Sequence, residues 1–256
     1  MDKDTITFEK LSWAAFIARI FGSTGPNAYM SIYKDIKFRE LLAFNPAHVK
    51  PKEVCDKLIE GFLNKWRSRF PNNEKAASAI LAALERVGPF IKATKALAID
   101  SVDFNKYIDI DGNHFSVFEA IVMIFNKIAN CHGNRTTAGA KILGIINPAL
   151  FVMWDDTIAM RYSSGAQDIF NGIGYASFLK KMQNAAHVCQ SDFKSRFGYD
   201  NIALFLSEKL EVMPPLTLAK FLDEYNWISI SQGIHLPPKW HPCSEIAVKR
   251  KNNSDI

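Results

Sequence analysis

Apolar residues recur at helical spacing along most of this chain. In the first 21 residues they stand three and four positions apart, at Trp13, Phe16, Ile17 and Ile20. A longer stripe of the same kind runs from residue 51 to residue 70. Because an α-helix turns once in 3.6 residues, such side chains share one face, and that face has to be buried. The pattern predicts an all-α fold that forms a single globular multi-helix domain. A division of this domain into two lobes with a cleft between them is left open.

The same spacing and its breaks predict the other elements. Helices are expected at 74–87 (closed by Gly88-Pro89, with a helical continuation over 90–98), 115–130, 138–146 (capped by Thr136 or Thr137), 156–162, 176–196 and 203–212, with a last one starting at Pro214-Pro215. Loops are expected at 23–31 and 227–243, and a turn or small β-hairpin at 107–115. Residues 115–130 are apolar on nearly all sides, which predicts the most buried helix at the centre of the fold.

Length and composition indicate one ordered domain. The chain has 256 residues, of which 48% are hydrophobic and 22% charged, as in average globular proteins. We expect a helical domain over residues 1–245, with a possible lobe boundary near 100–114. Residues 246–256 are basic and polar and are expected to form a mobile tail.

The charge balance favours a polyanionic partner without requiring one. Lys and Arg number 31 against 26 Asp and Glu, a net charge of +5. Nucleic acid is therefore a possible partner, and a protein partner stays open. We expect any nucleic-acid affinity to depend on salt and to involve Lys65, Arg67, Arg69, Lys180, Lys181, Lys194 and Arg196. For the three cations at 65–69, an alternative is that they only complement the negative end of the 51–70 helix dipole.

Cysteine usage and the chain start indicate a cytoplasmic protein. The four cysteines lie far apart without a CxxC pair, which favours reduced thiols over a metal ribbon or an iron–sulfur loop. The stretch HLPPKWHPC, with His235, His241 and Cys243, is interpreted as a rigid turn, and no metal site is predicted. The start MDKDTITFEK has no apolar leader, and no window is long enough for a membrane span.

Several chemical motifs are absent from the sequence. It contains no phosphate-binding GxxxxGK[ST] loop, no HExxH zinc helix and no GxSxG nucleophile elbow. Gly172-Ile173-Gly174 lacks the third glycine of a dinucleotide site, and no cofactor is predicted. The Asp109 and Asp111 stretch is not an EF-hand. That loop needs Gly at its sixth position and Glu at its twelfth, whereas Gly112 comes fourth and Ala120 twelfth.

The stretch NPALFVMWDDTIAMRY, residues 147–162, carries the strongest functional signal. A proline-led apolar run ends in two adjacent carboxylates, Asp155 and Asp156, and helical spacing resumes behind them. One interpretation is purely structural, because an aspartate at a helix start accepts hydrogen bonds from backbone N–H groups and suits the positive helix end. This interpretation explains one of the two aspartates well and leaves the other less well explained.

A second interpretation comes from the order of parts in HGNRTTAGAKILGIINPALFVMWDDTIAMR, about thirty residues. A helix, a break at Gly133, a second helix, a short apolar run and an aspartate at the mouth of a third helix follow one another. This order resembles the helix-hairpin-helix base-excision DNA glycosylase superfamily. The resemblance implies an all-α, two-lobed fold, and a carboxylate that stabilises positive charge at a sugar C1′ while a flipped base departs.

The resemblance assigns roles residue by residue. Asp155 matches the family's aspartate, and Arg161 takes the place of the basic residue behind it. The family often has a catalytic lysine just after the hairpin, where this chain has Arg135, Thr136 and Thr137; Lys141 lies one helical turn later and is the candidate for that role. Trp154 and His132 are candidates for the base pocket, and the cations proposed to grip phosphates are Arg135, Arg161, Lys65, Arg67, Arg69, Lys180 and Lys181.

Two functions from different classes follow. The first is a glycosylase-like enzyme of DNA repair, a hydrolase with Asp155 as electrostatic catalyst. The second is a non-catalytic helical module that binds nucleic acid or a protein. An unrelated all-α enzyme is a third option. An enzyme requires Asp155 in a cleft that admits a base, whereas a capping residue can lie on any surface.

Overall fold

A computed structural model describes residues 5–20, 24–133, 135–163 and 170–236, without the side chains of residues 24 and 25. The all-α prediction is confirmed. The α-helices of these ranges are α1 (Phe8–Ile20), α2 (Thr24–Lys34), α3 (Ile36–Phe44), α4 (Pro51–Glu53), α5 (Glu74–Thr94), α6 (Val117–Ala129), α7 (Thr136–Ile146), α8 (Asp156–Tyr162), α9 (Gly172–Phe197), α10 (Ile202–Lys209) and α11 (Leu218–Asn226). A 3₁₀ turn (Pro46–His48), two π-helices (Val54–Leu63 and Trp227–Ser231) and two short strands, β1 (Tyr107–Ile110) and β2 (Asn113–Ser116), complete them.

The predicted hairpin is confirmed. β1 and β2 pair antiparallel, with Tyr107 opposite Ser116 and Ile110 opposite Asn113. Asp111 and Gly112 form the turn, with φ of 52° and 78°. Two positive φ values in succession are the geometry that two-residue hairpins require, and Asp and Gly adopt it more easily than other residues.

Helix α6 follows the hairpin directly and begins with a capping box. Ser116 accepts a hydrogen bond from the Glu119 backbone, and the Glu119 carboxylate accepts one from the Ser116 backbone. The prediction that this helix is the most buried is wrong. Met123 of α6 is 43% exposed. By contrast, every residue of α11 is buried, and every residue of α7 except Thr137 is buried. Helices α5, α7 and α9 pack around part of α6 and leave the rest open.

Several helix boundaries differ from the sequence prediction; for example, the last predicted helix begins at Leu218 and not at Pro214-Pro215. The expected loop at 23–31 is wrong, because α2 spans most of it. Helix α5 does not close at Gly88-Pro89 but continues to Thr94 with Pro89 inside it. A residue before proline avoids the helical conformation because its Cβ meets the proline ring, and Gly88 has no Cβ. Helix α9 begins at Gly172, four residues earlier than predicted.

The stripe that begins at residue 51 also ends early. It runs through α4 into the first π-helix and stops at Leu63. Lys65, Arg67 and Arg69 therefore lie in a loop beyond the helix, and the prediction that they occupy its last turn is wrong. The predicted loop after α11 is helical over Trp227–Ser231.

Buried apolar side chains form one continuous core that extends from Ile6 to Leu236. Within the described ranges, no helix combines the length and apolar character needed to cross a membrane. The predicted tail, 246–256, lies outside the described residues, and the lobe boundary near 100–114 stays a prediction.

Candidate active-site pocket

A cavity of about 650 Å³ opens where four parts of the chain meet. Its wall is formed by residues 66–69, by the N-terminal half of α7, by residues 153–158, and by C-terminal side chains that include Asp223, Trp227 and Gln232. A volume of this size is typical of sites for small molecules and cofactors. Most of the residues predicted from the 132–161 stretch lie on or next to this cavity.

Asp155 lies in the pocket wall and also caps a helix. Its Oδ1 accepts a hydrogen bond from the backbone N–H of Ile158 at 2.9 Å, at the start of α8. Its Oδ2 accepts one from Ser231 Oγ at 2.6 Å. The capping interpretation is therefore confirmed, and the capping carboxylate stands inside a cleft. Fixed from two sides and half-buried, it is a preorganised negative charge.

Asp156, the second carboxylate, connects two helices. It is exposed at the first position of α8, and its Oδ1 accepts a hydrogen bond from Thr137 Oγ1 at 2.9 Å. Thr137 lies in the first turn of α7. The aspartate pair thus has two tasks: the first caps α8, and the second holds the starts of α7 and α8 together at the pocket.

Lys141 reaches the pocket from the second turn of α7. It is only 5% exposed, and its Nζ donates to the Trp66 carbonyl at 2.9 Å and to Ser68 Oγ at 3.0 Å. Burial lowers the pKa of this amine to about 8, although the Asp155 carboxylate favours its charged form. Lys141 therefore ties α7 to the 66–68 backbone and places a cation close to the carboxylates.

A buried ion cluster behind the pocket was missed by sequence reasoning. Lys220 Nζ lies 2.5 Å from Asp223 Oδ2 and 3.8 Å from Glu224 Oε1, and Arg19 pairs with Glu224 at 2.9 Å. Burial raises the pKa of Asp223, and Lys220 opposes that rise. Charges on a helix usually indicate a solvated face, so the pattern of α11 contained no signal for this burial.

The basic loop, residues 64–70, forms one rim of the pocket. Its backbone is unusual, because Arg67 and Arg69 have φ of 57° and 49°, in the left-handed region that favours glycine. Lys65, Arg67 and Arg69 are exposed. The structure brings the two arginines into the pocket wall and leaves Lys65 outside it.

Arg135 also lies in the pocket wall, where the α6–α7 hairpin ends. It is the N-cap residue of α7 and makes no side-chain capping bond, so the predicted caps Thr136 and Thr137 are wrong. Its guanidinium donates to the Arg69 carbonyl at 3.4 Å. Gly133, two residues earlier, has φ of 70°, which explains why a glycine stands at this break.

The two residues predicted for a base pocket behave differently. Trp154 lines the cavity but is only 3% exposed, since its ring packs edge-on against Phe125 and Tyr175. The His132 ring lies 5.9 Å from the Phe70 ring, tilted by 45°, and His132 is not among the described residues of the wall. Sequence reasoning assigned Trp66 to the core and gave Trp227 no role, yet both line the pocket, with ring centroids 5.5 Å apart.

The remaining predicted cations are not among the described wall residues. Arg161 is exposed on α8. On α9, the Lys180 amine lies 4.7 Å from the centre of the Phe118 ring, and Lys181 donates to the Tyr162 carbonyl at 2.5 Å. Lys194 and Arg196 form ion pairs with carboxylates, Lys194 with Asp200 and Arg196 with Asp192 and Glu9. Of the predicted phosphate contacts, the structure gathers Arg67, Arg69 and Arg135 at the pocket.

No group of His, Cys, Asp and Glu suited to a metal ion occurs within the part of the chain that the structure describes. His241 and Cys243 lie outside that part.

Comparisons of the chain with protein-family models, with curated proteins and with solved structures found no match.

Proposed function

We propose that this chain is a DNA glycosylase-like hydrolase that acts on a nucleobase–sugar bond, with Asp155 as its electrostatic catalyst. The observation that carries the proposal is the convergence of Asp155, Lys141, Arg67, Arg69 and Arg135 on one cavity of about 650 Å³. Arg67 and Arg69 come from a part of the chain that precedes Arg135 by 66 positions or more. A cavity of this size has room for a flipped base, and enzymes of this kind need to take the base out of the stack.

The proposed role of Asp155 follows from its fixed position. When the bond between C1′ and the base nitrogen breaks, its electron pair leaves with the base and positive charge develops on the sugar. A carboxylate held by the Ile158 N–H and by Ser231 opposes that charge without having to reorganise. Water then adds to C1′, its surplus proton is released, and the departing base takes up one proton.

Lys141 has a supporting role in this proposal. With a pKa of about 8 the amine is mostly protonated at neutral pH, so it is a poor nucleophile there. Its two hydrogen bonds keep the wall formed by residues 66–68 in place. This role fits hydrolysis by water, without a covalent enzyme intermediate.

The aromatic wall offers a surface for the base. Trp66 and Trp227 meet at an angle of 68°, and Gln232, Thr157 and Ser68 supply polar groups around them. Flipped bases are held in this way, by stacking on aromatic rings and by hydrogen bonds to their edges.

A non-catalytic helical binding module is the second candidate. One observation favours it: both oxygens of Asp155 already accept hydrogen bonds, so capping and the contact with Ser231 account for this carboxylate without chemistry. In that case the pocket would hold a nucleotide or a protein side chain and leave it unchanged.

The test is incubation of the purified chain with DNA duplexes that each carry a different base lesion, followed by detection of abasic sites. Abasic sites that form with the wild type and not with Asp155→Asn support the glycosylase proposal. Failure of the wild type on every lesion, together with measurable DNA binding, supports the binding module instead.

A further inference from the structure

The basic loop contributes to two cavities. Arg67 and Arg69 line the 650 Å³ pocket. The same two arginines, with Asn64, line a second cavity of about 460 Å³. No part of the proposed chemistry uses this second cavity.

The conformation of the loop is maintained by contacts from three directions. The Asn64 side chain bonds both the N–H and the carbonyl of Phe70, at 2.8 and 3.0 Å, and so closes the loop. Lys141 donates to the carbonyl of Trp66, and Arg135 donates to that of Arg69. These donors turn backbone oxygens toward α7. Left-handed arginines are costly and persist only where surrounding contacts impose them, as often happens at binding sites.

The outward side of the loop is basic, and the described part of the chain places no counter-charge there. Lys65, Arg67 and Arg69 are exposed, while the residues between them turn inward. Among the described residues, no carboxylate lies within ion-pair distance of these three cations. Like charges held close together repel one another, and an anion between them removes that repulsion.

We propose that the second cavity binds a phosphodiester of a single DNA strand, held between Asn64, Arg67 and Arg69. Guanidinium groups match phosphate oxygens in pairs, and the Asn64 amide adds a polar neighbour. The strand would cross the outer side of the loop while its base enters the pocket on the inner side. The inference rests on the proposed function in that the same strand serves both cavities, but binding is measured separately from cleavage.

The test uses a fluorescein-labelled single strand, whose anisotropy is followed with the full chain over a range of salt concentrations. The variant is the double substitution Arg67→Gly with Arg69→Gly, because glycine adopts positive φ readily and preserves the loop. On a single strand each neutralised phosphate contributes about 0.7 to the slope of log affinity against log salt, so loss of this one phosphodiester contact should lower the slope of the double variant by about 0.7. An unchanged slope overturns the proposal, as does a wild type that fails to bind the strand at low salt.

Two controls make the result specific. Lys127→Ala removes one positive charge from an exposed position of α6 outside both cavity walls, and its slope should stay that of the wild type; a drop of about 0.7 would overturn the local assignment. Polyglutamate and a free deoxynucleoside monophosphate serve as competitors. Displacement of the strand by either one at equal concentration of anionic groups would overturn the assignment to a strand.

Failure of the proposed function is distinguished by detecting abasic sites with the same preparations. If the slope falls in the double variant and no preparation forms abasic sites, the phosphate site is supported and the glycosylase proposal is not. If abasic sites form and the slope is unchanged in the double variant, the glycosylase proposal is supported and the phosphate site is not.

Discussion

The two oxygens of Asp155 have different partners, and this determines what its substitution reports. Oδ1 caps α8, and Oδ2 accepts the Ser231 hydroxyl proton. An asparagine retains the capping oxygen, and the Ser231 hydroxyl can rotate to accept from the new amide. Charge is therefore the main property that Asp155→Asn removes.

For Asp155→Asn we expect a loss of roughly 100-fold to 1000-fold in the rate of abasic-site formation, the size found for one preorganised electrostatic group. The free energy of unfolding should fall by less than about 1 kcal/mol, since asparagine caps a helix about as well as aspartate. Single-turnover kinetics and urea unfolding measure the two quantities. Asp156→Asn is the control and should change neither the rate of abasic-site formation nor the free energy of unfolding appreciably. A fully active Asp155→Asn would remove Asp155 from the mechanism.

Lys141 gives a pH-dependent prediction. Its pKa is about 8 in the folded chain, below the ordinary 10.5, because the amine is buried. Between these two values the unfolded chain binds more protons than the folded chain, so stability rises with pH. The wild type should gain on the order of 3 kcal/mol over Lys141→Met as the pH increases from 8 to 10.5. Urea unfolding of both proteins at several pH values measures the difference between their free energies of unfolding. A difference that does not change with pH would contradict the burial of a charged amine.

At the scale of elements, the contact of α6 with α9 determines how the second half of the chain packs. A Cβ built on Gly172 would lie 2.4 Å from the Val122 carbonyl oxygen, which belongs to the backbone of α6. The Gly172 N–H also donates to Asn126 Oδ1 at 2.7 Å. The first turn of α9 can approach α6 this closely because residue 172 has no side chain.

Gly172→Ala should therefore destabilise the chain by about 2 kcal/mol or more, although alanine is the better helix former. Asn184→Ala is the control, at an exposed position on the same helix, and should change stability by less than about 0.5 kcal/mol. Thermal unfolding of the three proteins tests this. Equal stability of Gly172→Ala and the wild type would show that the two helices are further apart.

For the molecule as a whole, the buried ion cluster connects α1 to α11. Arg19 of α1 pairs with Glu224 of α11. On α11 itself, Lys220 pairs with Asp223, three residues further along the helix. Such pairs are costly to desolvate, and removing one partner leaves the other buried and uncompensated.

Lys220→Met should lower the free energy of unfolding by about 3 kcal/mol, toward the smaller end of the usual range because Asp223 can take up a proton. Lys57→Met is the matched control. Lys57 pairs with Asp35 and Glu53, but its side chain is 43% exposed, so we expect a loss below about 1 kcal/mol. Urea unfolding compares the two, and equal losses would contradict a buried cluster.

The sequence by itself determined the elements whose signals are local. The spacing of Trp13, Phe16 and Ile17 predicted α1. Asp155 or Asp156 was predicted to cap α8, because a capping carboxylate and the backbone N–H that donates to it lie two or three residues apart. The hairpin at 107–115 was predicted for the same reason. Interactions over three or four residues depend on backbone periodicity, which a single sequence shows directly.

Only the tertiary structure decided which residues form the pocket. Lys141 meets the Trp66 carbonyl across 75 positions of sequence, and Ser231 meets Asp155 across 76. It also decided that Lys220 and Asp223 are buried, although their spacing on α11 is that of an ordinary polar face. Contacts of this kind depend on how helices pack against one another in three dimensions. Helix periodicity fixes which side chains share a face but not which distant face covers them.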